Sequence, residues 1–280
     1  MIQGKNKKTN ACIDWYWQTY IDGELVSEEY VFTTCEGEEV ECDAIGQRDR
    51  KGILKIKMAC GGNQGGGDDP NTVLLDSINA KPCNAMTYAD QMDYIQTISN
   101  MNNGNCLQKA LLHAFNDLGK QVTVCKGSTV NGAIAQTDYY SNTITWNSNL
   151  SFYEKTLDEE FFHNIQFGTY GNVNDHANIE FEAAIMCDMI QTSANYTAMD
   201  QQSTSVRNEY STWLKSITNN GNSFPKSFTE MFPDDTAKQT YFYFLEKYRD
   251  QYQPGDSHYS PINYNLLPTA IFKVTSKSCN

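Results

Sequence analysis

Two stretches decide the fold predicted for this chain: Leu157-Asp158-Glu159-Glu160-Phe161-Phe162-His163-Asn164-Ile165-Gln166, and further along Asn178-Ile179-Glu180-Phe181-Glu182-Ala183. If the two stretches are helices lying side by side, they bring four carboxylates and one imidazole within reach of a common point. Such a group of side chains is what a buried metal site or an acid/base site needs.

The first stretch carries its charged residues on one side of a helix. Glu159 and His163 are four residues apart and therefore face the same way, while Glu160 lies about 100° round the helix from Glu159. This is the geometry of the motif His-Glu-x-x-His, in which two histidines hold zinc and the glutamate activates a water molecule. In this chain Glu159 takes the place of the first histidine.

Apolar residues recur at helical spacing around both stretches. In the first, Leu157, Phe161, Phe162 and Ile165 form a stripe, and Gly168 is expected to end the helix. Residues 177–190 read as a second, largely buried helix. A buried helix with two glutamates must pair or protonate them, because an unpaired carboxylate in a dry interior is costly. The alternative to a metal site is therefore a structural network in which these glutamates cap helices or bind basic residues.

The two segments together resemble the zincin-like metallopeptidase domains of secreted Bacteroidetes proteins, in which a His-Glu-x-x-His helix precedes a helix reading Asn-x-Glu-x-Glu-Ala. The matching residues are Glu160, His163, Gln166, Asn178, Glu180, Glu182 and Ala183. The resemblance implies that the third metal ligand is a glutamate followed by alanine, which is Glu182, with Glu180 as the fallback. It also implies that Glu160 is the catalytic general base.

The replacement of the first histidine by Glu159 leaves three outcomes open. Carboxylate oxygen is an acceptable zinc ligand, so Glu159, His163 and Glu182 form a three-ligand open site. Two carboxylates and one imidazole also make a harder site, which favours iron or manganese and polarises bound water less. The third outcome is a fold that binds no metal. The expected function is therefore metal-dependent peptide hydrolysis or, alternatively, binding of a partner by an inactive zincin-like scaffold.

Charge and hydropathy argue against nucleic acid as a partner and against a transmembrane helix. The formal net charge is -13, and no basic patch with interleaved aromatic residues is present, so the sequence predicts no nucleic-acid partner. No run of eighteen apolar residues occurs, so no transmembrane helix is expected. The resemblance implies a peptide or protein as the substrate or partner, and the sequence does not define an oligomeric state.

The nine cysteines indicate an oxidising compartment. Four of them crowd into the first sixty residues and suggest a disulfide framework with three alternative pairings: Cys12, Cys35, Cys42 and Cys60. The five later cysteines leave one over, and Cys187 on the apolar second helix is predicted to be a buried free thiol. No signal peptide precedes this framework, so we expect a secreted or cell-surface protein, processed or lipid-anchored in its full-length form.

The composition predicts a division of the chain into three parts. Residues 1–60 read as a small disulfide-linked β module, with a hairpin turn at Asp22-Gly23. Residues 61–71 are glycine-rich and read as a linker. Residues 72–280 are expected to form the zincin-like domain, which is α+β and mostly helical. The resemblance implies that its strand at 142–147, just before the first site helix, is an edge strand that binds the substrate backbone.

Overall fold

The computed structural model describes two parts of the chain at different levels of detail. It gives backbone strands at 2–5, 12–21, 24–35, 41–48 and 54–61, without their side chains. It gives backbone and side chains at 78–173, 175–191, 196–252 and 261–277, except for the side chain of residue 131. Chain contacts divide the protein into two compact units, residues 1–72 and residues 73–280.

The described strands of the N-terminal unit form two antiparallel sheets. The strands are β1 (Ile2–Lys5), β2 (Cys12–Ile21), β3 (Glu24–Cys35), β4 (Glu41–Arg48) and β5 (Leu54–Gly61). Strands β1, β2 and β3 pair in that order, which confirms the predicted hairpin between β2 and β3, and β4 pairs with β5. The register places the backbone of Cys12 opposite Cys35, and that of Cys42 opposite Cys60. The side chains of the predicted disulfide framework, and residues 62–71 of the predicted linker, lie outside the described residues.

The C-terminal unit contains a four-stranded mixed sheet. Its strands are β6 (Ala80–Pro82), β7 (Val122–Gly127), β8 (Ala135–Asp138) and β9 (Thr143–Asn147), in the order β6-β7-β9-β8. Strands β6, β7 and β9 are parallel, and β8 runs antiparallel to β9 at one edge. The strand predicted at 142–147 is present as β9, but its predicted position at the sheet edge is wrong. It lies between β7 and β8, and both of its sides are paired.

Helices make up most of the described C-terminal unit. They are α1 (Tyr88–Asn103), α2 (Cys106–Asn116), α3 (Glu154–Tyr170), α4 (His176–Gln191), α5 (Thr204–Ile217), α6 (Phe228–Met231), α7 (Asp235–Tyr252) and α8 (Thr269–Thr275). The α+β class predicted from the sequence is thus present in the described residues. None of these helices combines the length and the apolar character needed to cross a bilayer.

Helices α3 and α4 lie in the core of this unit because each buries more than half of its residues, among them the apolar stripe of α3 and most of α4. Phe161 of α3 stacks on Phe115 of α2, with ring centroids 4.5 Å apart. On α4, Phe181 packs against Tyr241 and Tyr248 of α7, at 5.3 Å in each case. Aromatic side chains of α2 and α7 thus pack against α3 and α4, respectively.

Helix α3 runs one turn further than its glycine predicts. Gly168 lies inside the helix, which continues to Tyr170 and ends before Gly171, where φ is 72°. A Cβ at position 168 would lie 2.7 Å from Cδ2 of Leu118. The glycine at 168 therefore permits close packing, whereas Gly171 supplies the left-handed backbone that ends the helix.

Cysteines in the described C-terminal unit follow the prediction. A disulfide joins Cys83 to Cys125, next to the paired strands β6 and β7. Cys106 is also disulfide-bonded. Cys187 is a free, buried thiol, as predicted.

Candidate functional site

Helices α3 and α4 bring together two carboxylates and an imidazole. Glu159 and His163 lie one turn apart on α3, and Glu180 faces them from the first half of α4. One ligand atom from each of these three residues lies within 4.8 Å of the other two. Nε2 of His163 lies 3.6 Å from Oε2 of Glu180.

Glu182, the predicted third ligand, is not a member of this group. Its buried carboxylate accepts hydrogen bonds from Nε2 of Gln166 at 2.9 Å, from the Tyr170 hydroxyl at 3.0 Å and from the Ile271 backbone N–H at 3.1 Å. The structure thus joins Glu182 to α3 and α8, and places the predicted fallback, Glu180, beside His163. Residues two positions apart along a helix point about 200° apart, so Glu180 and Glu182 face different surroundings.

Gln166 determines which nitrogen of His163 faces the two carboxylates. The Gln166 Nε2 group donates both its hydrogens, to the Ile179 carbonyl at 2.8 Å and to Glu182. Its Oε1 atom lies 2.8 Å from Nδ1 of His163 and must accept a hydrogen bond there. Nδ1 therefore carries a proton, and deprotonation of the imidazole frees Nε2, the atom that faces Glu180. Metal-binding histidines are commonly oriented in this way by a second hydrogen bond.

Buried charges within the group shift the ionisation of its members. Burial works to lower the pKa of His163, but the nearby carboxylates of Glu180, Glu160 and Glu159 outweigh it and raise that pKa to about 9. Burial raises the pKa of Glu159, while the His163 charge opposes the shift. The group without an ion therefore holds a proton on the imidazole at neutral pH, and that proton must leave before Nε2 can bind a metal.

Glu160, the predicted general base, lies next to the group and contacts the sheet edge. Its Oε2 atom accepts a 2.5 Å hydrogen bond from the Thr137 hydroxyl of strand β8. Burial raises the pKa of Glu160 to about 7, with the His163 charge and the Thr137 hydrogen bond opposing the shift. A carboxylate with a pKa near neutrality is suited to taking up and releasing a proton at physiological pH. Thr137 is not identifiable from the sequence, because nothing in the local pattern links residue 137 to residue 160.

The donor set fits a transition metal better than it fits calcium or magnesium. Ions of that kind accept imidazole nitrogen together with carboxylate oxygen, whereas calcium and magnesium take oxygen ligands. Bonds of about 2.0–2.1 Å in a tetrahedral site would separate ligand atoms by roughly 3.3 Å. The 3.6 Å separation between His163 and Glu180 is close to that value. Since all the ligand atoms lie within 4.8 Å of one another, binding needs a side-chain movement of at most about 1.5 Å.

Comparisons of the chain with protein-family models, with curated proteins and with solved structures find no match. The zincin-like resemblance therefore stays an expectation drawn from motif residues.

Proposed function

We propose that the site between α3 and α4 binds a divalent transition-metal ion through Glu159, His163 and Glu180, and that the protein is a zincin-like, metal-dependent peptide hydrolase. The observation that carries this proposal is the orientation of His163. Gln166 holds Nδ1, so that the free Nε2 position faces the two carboxylates. Zinc is the expected ion, with iron and manganese as alternatives because the set contains two carboxylates.

When bound, such an ion would polarise a carbonyl group and lower the pKa of a water molecule. Within the chain, Glu160 takes the role of general base, since it is buried beside the three ligands and its pKa lies near 7. Thr137 holds one carboxylate oxygen of Glu160 and so fixes the orientation of the side chain. The remaining requirement is a way to place a peptide bond near Glu160.

Strand β8 supplies the support for an extended peptide. It is one of the two edge strands of the four-stranded sheet, and its residue Thr137 contacts Glu160 directly. A peptide that pairs with an exposed strand edge gains backbone hydrogen bonds that do not depend on its sequence. The substrate role predicted for residues 142–147 therefore passes to residues 135–138 in this proposal.

A second function is favoured by one specific observation. The 3.6 Å approach of His163 to Glu180, together with the pKa of about 9 for His163, is also what a buried structural ion pair would show. In that case the chain is an inactive zincin-like scaffold that binds a partner protein. Only the hydrolase turns over a substrate, and it needs Glu160 to do so.

Cleavage of a peptide library by the metal-reconstituted protein tests the proposal, with Glu160→Gln as the inactive variant. Cleavage by the wild-type protein that is lost in the Glu160 variant, at unchanged metal content, would support the hydrolase. Glu159→His restores the full His-Glu-x-x-His motif and is expected to bind zinc more tightly. If metal-loaded wild-type protein and the Glu159 variant both leave the library intact, the hydrolase proposal fails.

A further inference from the structure

A cleft adjoins the proposed metal site and is built from four segments. It has a volume of about 180 Å³ and is lined by Lys155, Glu159, Ala184, Cys187, Thr197, Ala198, Asp200, Tyr248 and Tyr252. Glu159 therefore belongs both to the cleft and to the ligand group. Since a water molecule occupies about 30 Å³, the cleft holds roughly six waters or one amino-acid side chain.

Small residues create this space. Ala184 and Cys187 of α4 and Ala198 of the following turn form part of the wall, and each leaves room that a larger side chain would fill. The cleft lies next to the ligand group along α3, because Glu159 lines the cleft and His163 follows one turn later on the same side of the helix. One turn of helix, about 6 Å along the axis, separates Lys155 from Glu159.

The wall that carries Thr197 is held in a fixed position. The buried Asp188 carboxylate accepts hydrogen bonds from the Thr197 backbone at 2.8 Å, the Ala198 backbone at 3.0 Å and the Tyr210 hydroxyl at 3.1 Å. Thr197 in turn donates its hydroxyl to Asp188 at 3.1 Å and accepts from Nζ of Lys155 at 2.5 Å. The ammonium group is thereby anchored at one end of the cleft.

Lys155 has unused hydrogen-bonding capacity toward the cleft. An ammonium group has three donors, and the hydrogen bond described for Lys155 uses one of them, on a neutral hydroxyl. None of the ion pairs between described side chains involves Lys155. Three carboxylates lie near this cation. Asp200 is exposed and screened by solvent, and Glu159 is neutralised by the ion in the proposed function. Asp188 lies behind Thr197, where its oxygens already accept four hydrogen bonds. The half-buried cation is thus the charge that a ligand in the metal-loaded cleft would meet.

We infer that this cleft is a specificity pocket for a carboxylate group, which Lys155 binds while the neighbouring peptide bond lies at the metal site. The inference deepens the proposed function and rests on it. The carboxylate comes either from an acidic side chain or from the C-terminus of the substrate, and both present the same planar acceptor to an ammonium donor. The first source corresponds to an endopeptidase with acidic preference and the second to a carboxypeptidase.

Binding of four blocked tripeptides, measured by calorimetry, tests the inference without requiring turnover. N-acetyl-Ala-Ala-Ala with a free C-terminus and N-acetyl-Ala-Glu-Ala-amide carry a carboxylate, whereas N-acetyl-Ala-Ala-Ala-amide carries none and N-acetyl-Ala-Lys-Ala-amide is basic. One or both of the carboxylate peptides should bind about tenfold more tightly than the neutral amide. The peptide that shows this preference identifies the source of the carboxylate.

Variants then assign the preference to the cleft. Lys155→Met keeps the aliphatic stem and should abolish the preference at unchanged metal content, while Lys215→Met, which removes an exposed charge on α5, should leave it intact. Ala184→Leu fills the cleft and should weaken binding of every peptide that enters it. No preference in the wild-type protein, a preference for the lysine peptide, or a preference that survives Lys155→Met would overturn the inference.

The same titrations in chelator separate the inference from the proposed function. Protein that takes up no metal refutes the metal site, yet a carboxylate preference lost in Lys155→Met would still establish the pocket. Absence of the preference with metal and without it refutes the pocket alone when metal binding has been demonstrated.

Discussion

Oε1 of Gln166 lies 2.8 Å from Nδ1 of His163, and both side chains are buried on helix α3. Because Gln166 uses its amide hydrogens elsewhere, this contact can form only with Nδ1 as the donor. One glutamine therefore sets the tautomer and the ring orientation of the histidine on which the proposed site depends.

Replacing Gln166 with leucine should lower metal affinity by about 10–100-fold, the range expected when an orienting partner of a metal-binding histidine is lost. Gln108→Leu is the matched control, since Gln108 is also buried but bonds to Asp158 on another face of α3. Metal titration of both variants measures the loss of affinity, and thermal unfolding measures any loss of stability. Equal metal affinities in the two variants would show that Gln166 has no orienting role.

The two glutamates of α4 should respond differently to the same substitution. Glu180→Gln is expected to reduce metal affinity at least as strongly as loss of Gln166, with little loss of stability because the side chain is 28% exposed. Glu182→Gln should cost about 2 kcal/mol of stability, because a carboxylate with three donors is replaced. Stoichiometric metal binding by the Glu180 variant, together with its loss in the Glu182 variant, would restore Glu182 as the ligand.

Removing the hydroxyl of Thr137 should change the pH dependence of any hydrolase activity. The hydrogen bond from Thr137 lowers the pKa of Glu160, so Thr137→Val raises that pKa. The base is then protonated over a wider range, and the acidic limb of the kcat/KM profile moves to higher pH. A limb that stays in place or moves to lower pH would mean that Glu160 is not the group that the profile reports.

Stability of the metal-free protein should fall as pH rises. Burial raises the pKa of Glu182 to about 7, so the folded state holds its proton more tightly than the unfolded state does. The resulting stabilisation is complete below the ordinary pKa of 4.5 and is lost as pH rises through about 7; a shift of this size corresponds to roughly 3 kcal/mol. His163 acts in the same direction up to about pH 9.

Thermal unfolding in chelator measures this effect between about pH 5 and pH 8, where these groups titrate. Glu182→Gln removes one titrating group and should give a shallower decline than the wild-type protein. A wild-type midpoint that increases steadily over this range would contradict the pKa directions on which the site description rests.

Local pattern predicts the two site helices because apolar residues recur at helical spacing in both. The presence of the helices, and the shared direction of Glu159 and His163, follow from spacing, whereas the end of α3 at Tyr170 does not. Spacing does not decide between Glu180 and Glu182, because a mostly buried helix offers no polar face to distinguish them. That choice depends on Gln166 and on the backbone of α8, which are contacts made across the fold.

The order of the sheet also depends on long-range contacts. Strand β9 precedes α3 in the chain and was therefore expected at the edge, yet the short strand β8 pairs with its free side. The contact of Thr137 with Glu160 and the contact of Lys155 with Thr197 also depend on the fold. In each, the two residues are more than twenty positions apart in the sequence. Only the assembled structure brings these groups together.

The most direct test of the metal site is a titration of zinc, iron(II) and manganese(II) into chelator-treated wild-type protein and into His163→Ala, with elemental analysis of both proteins as purified. The wild-type protein should bind one of these ions at a ratio near one, and the variant should remain folded while losing that binding. Equal ion content in the two proteins, or none in the wild-type protein at any pH at which it stays folded, would contradict the metal site.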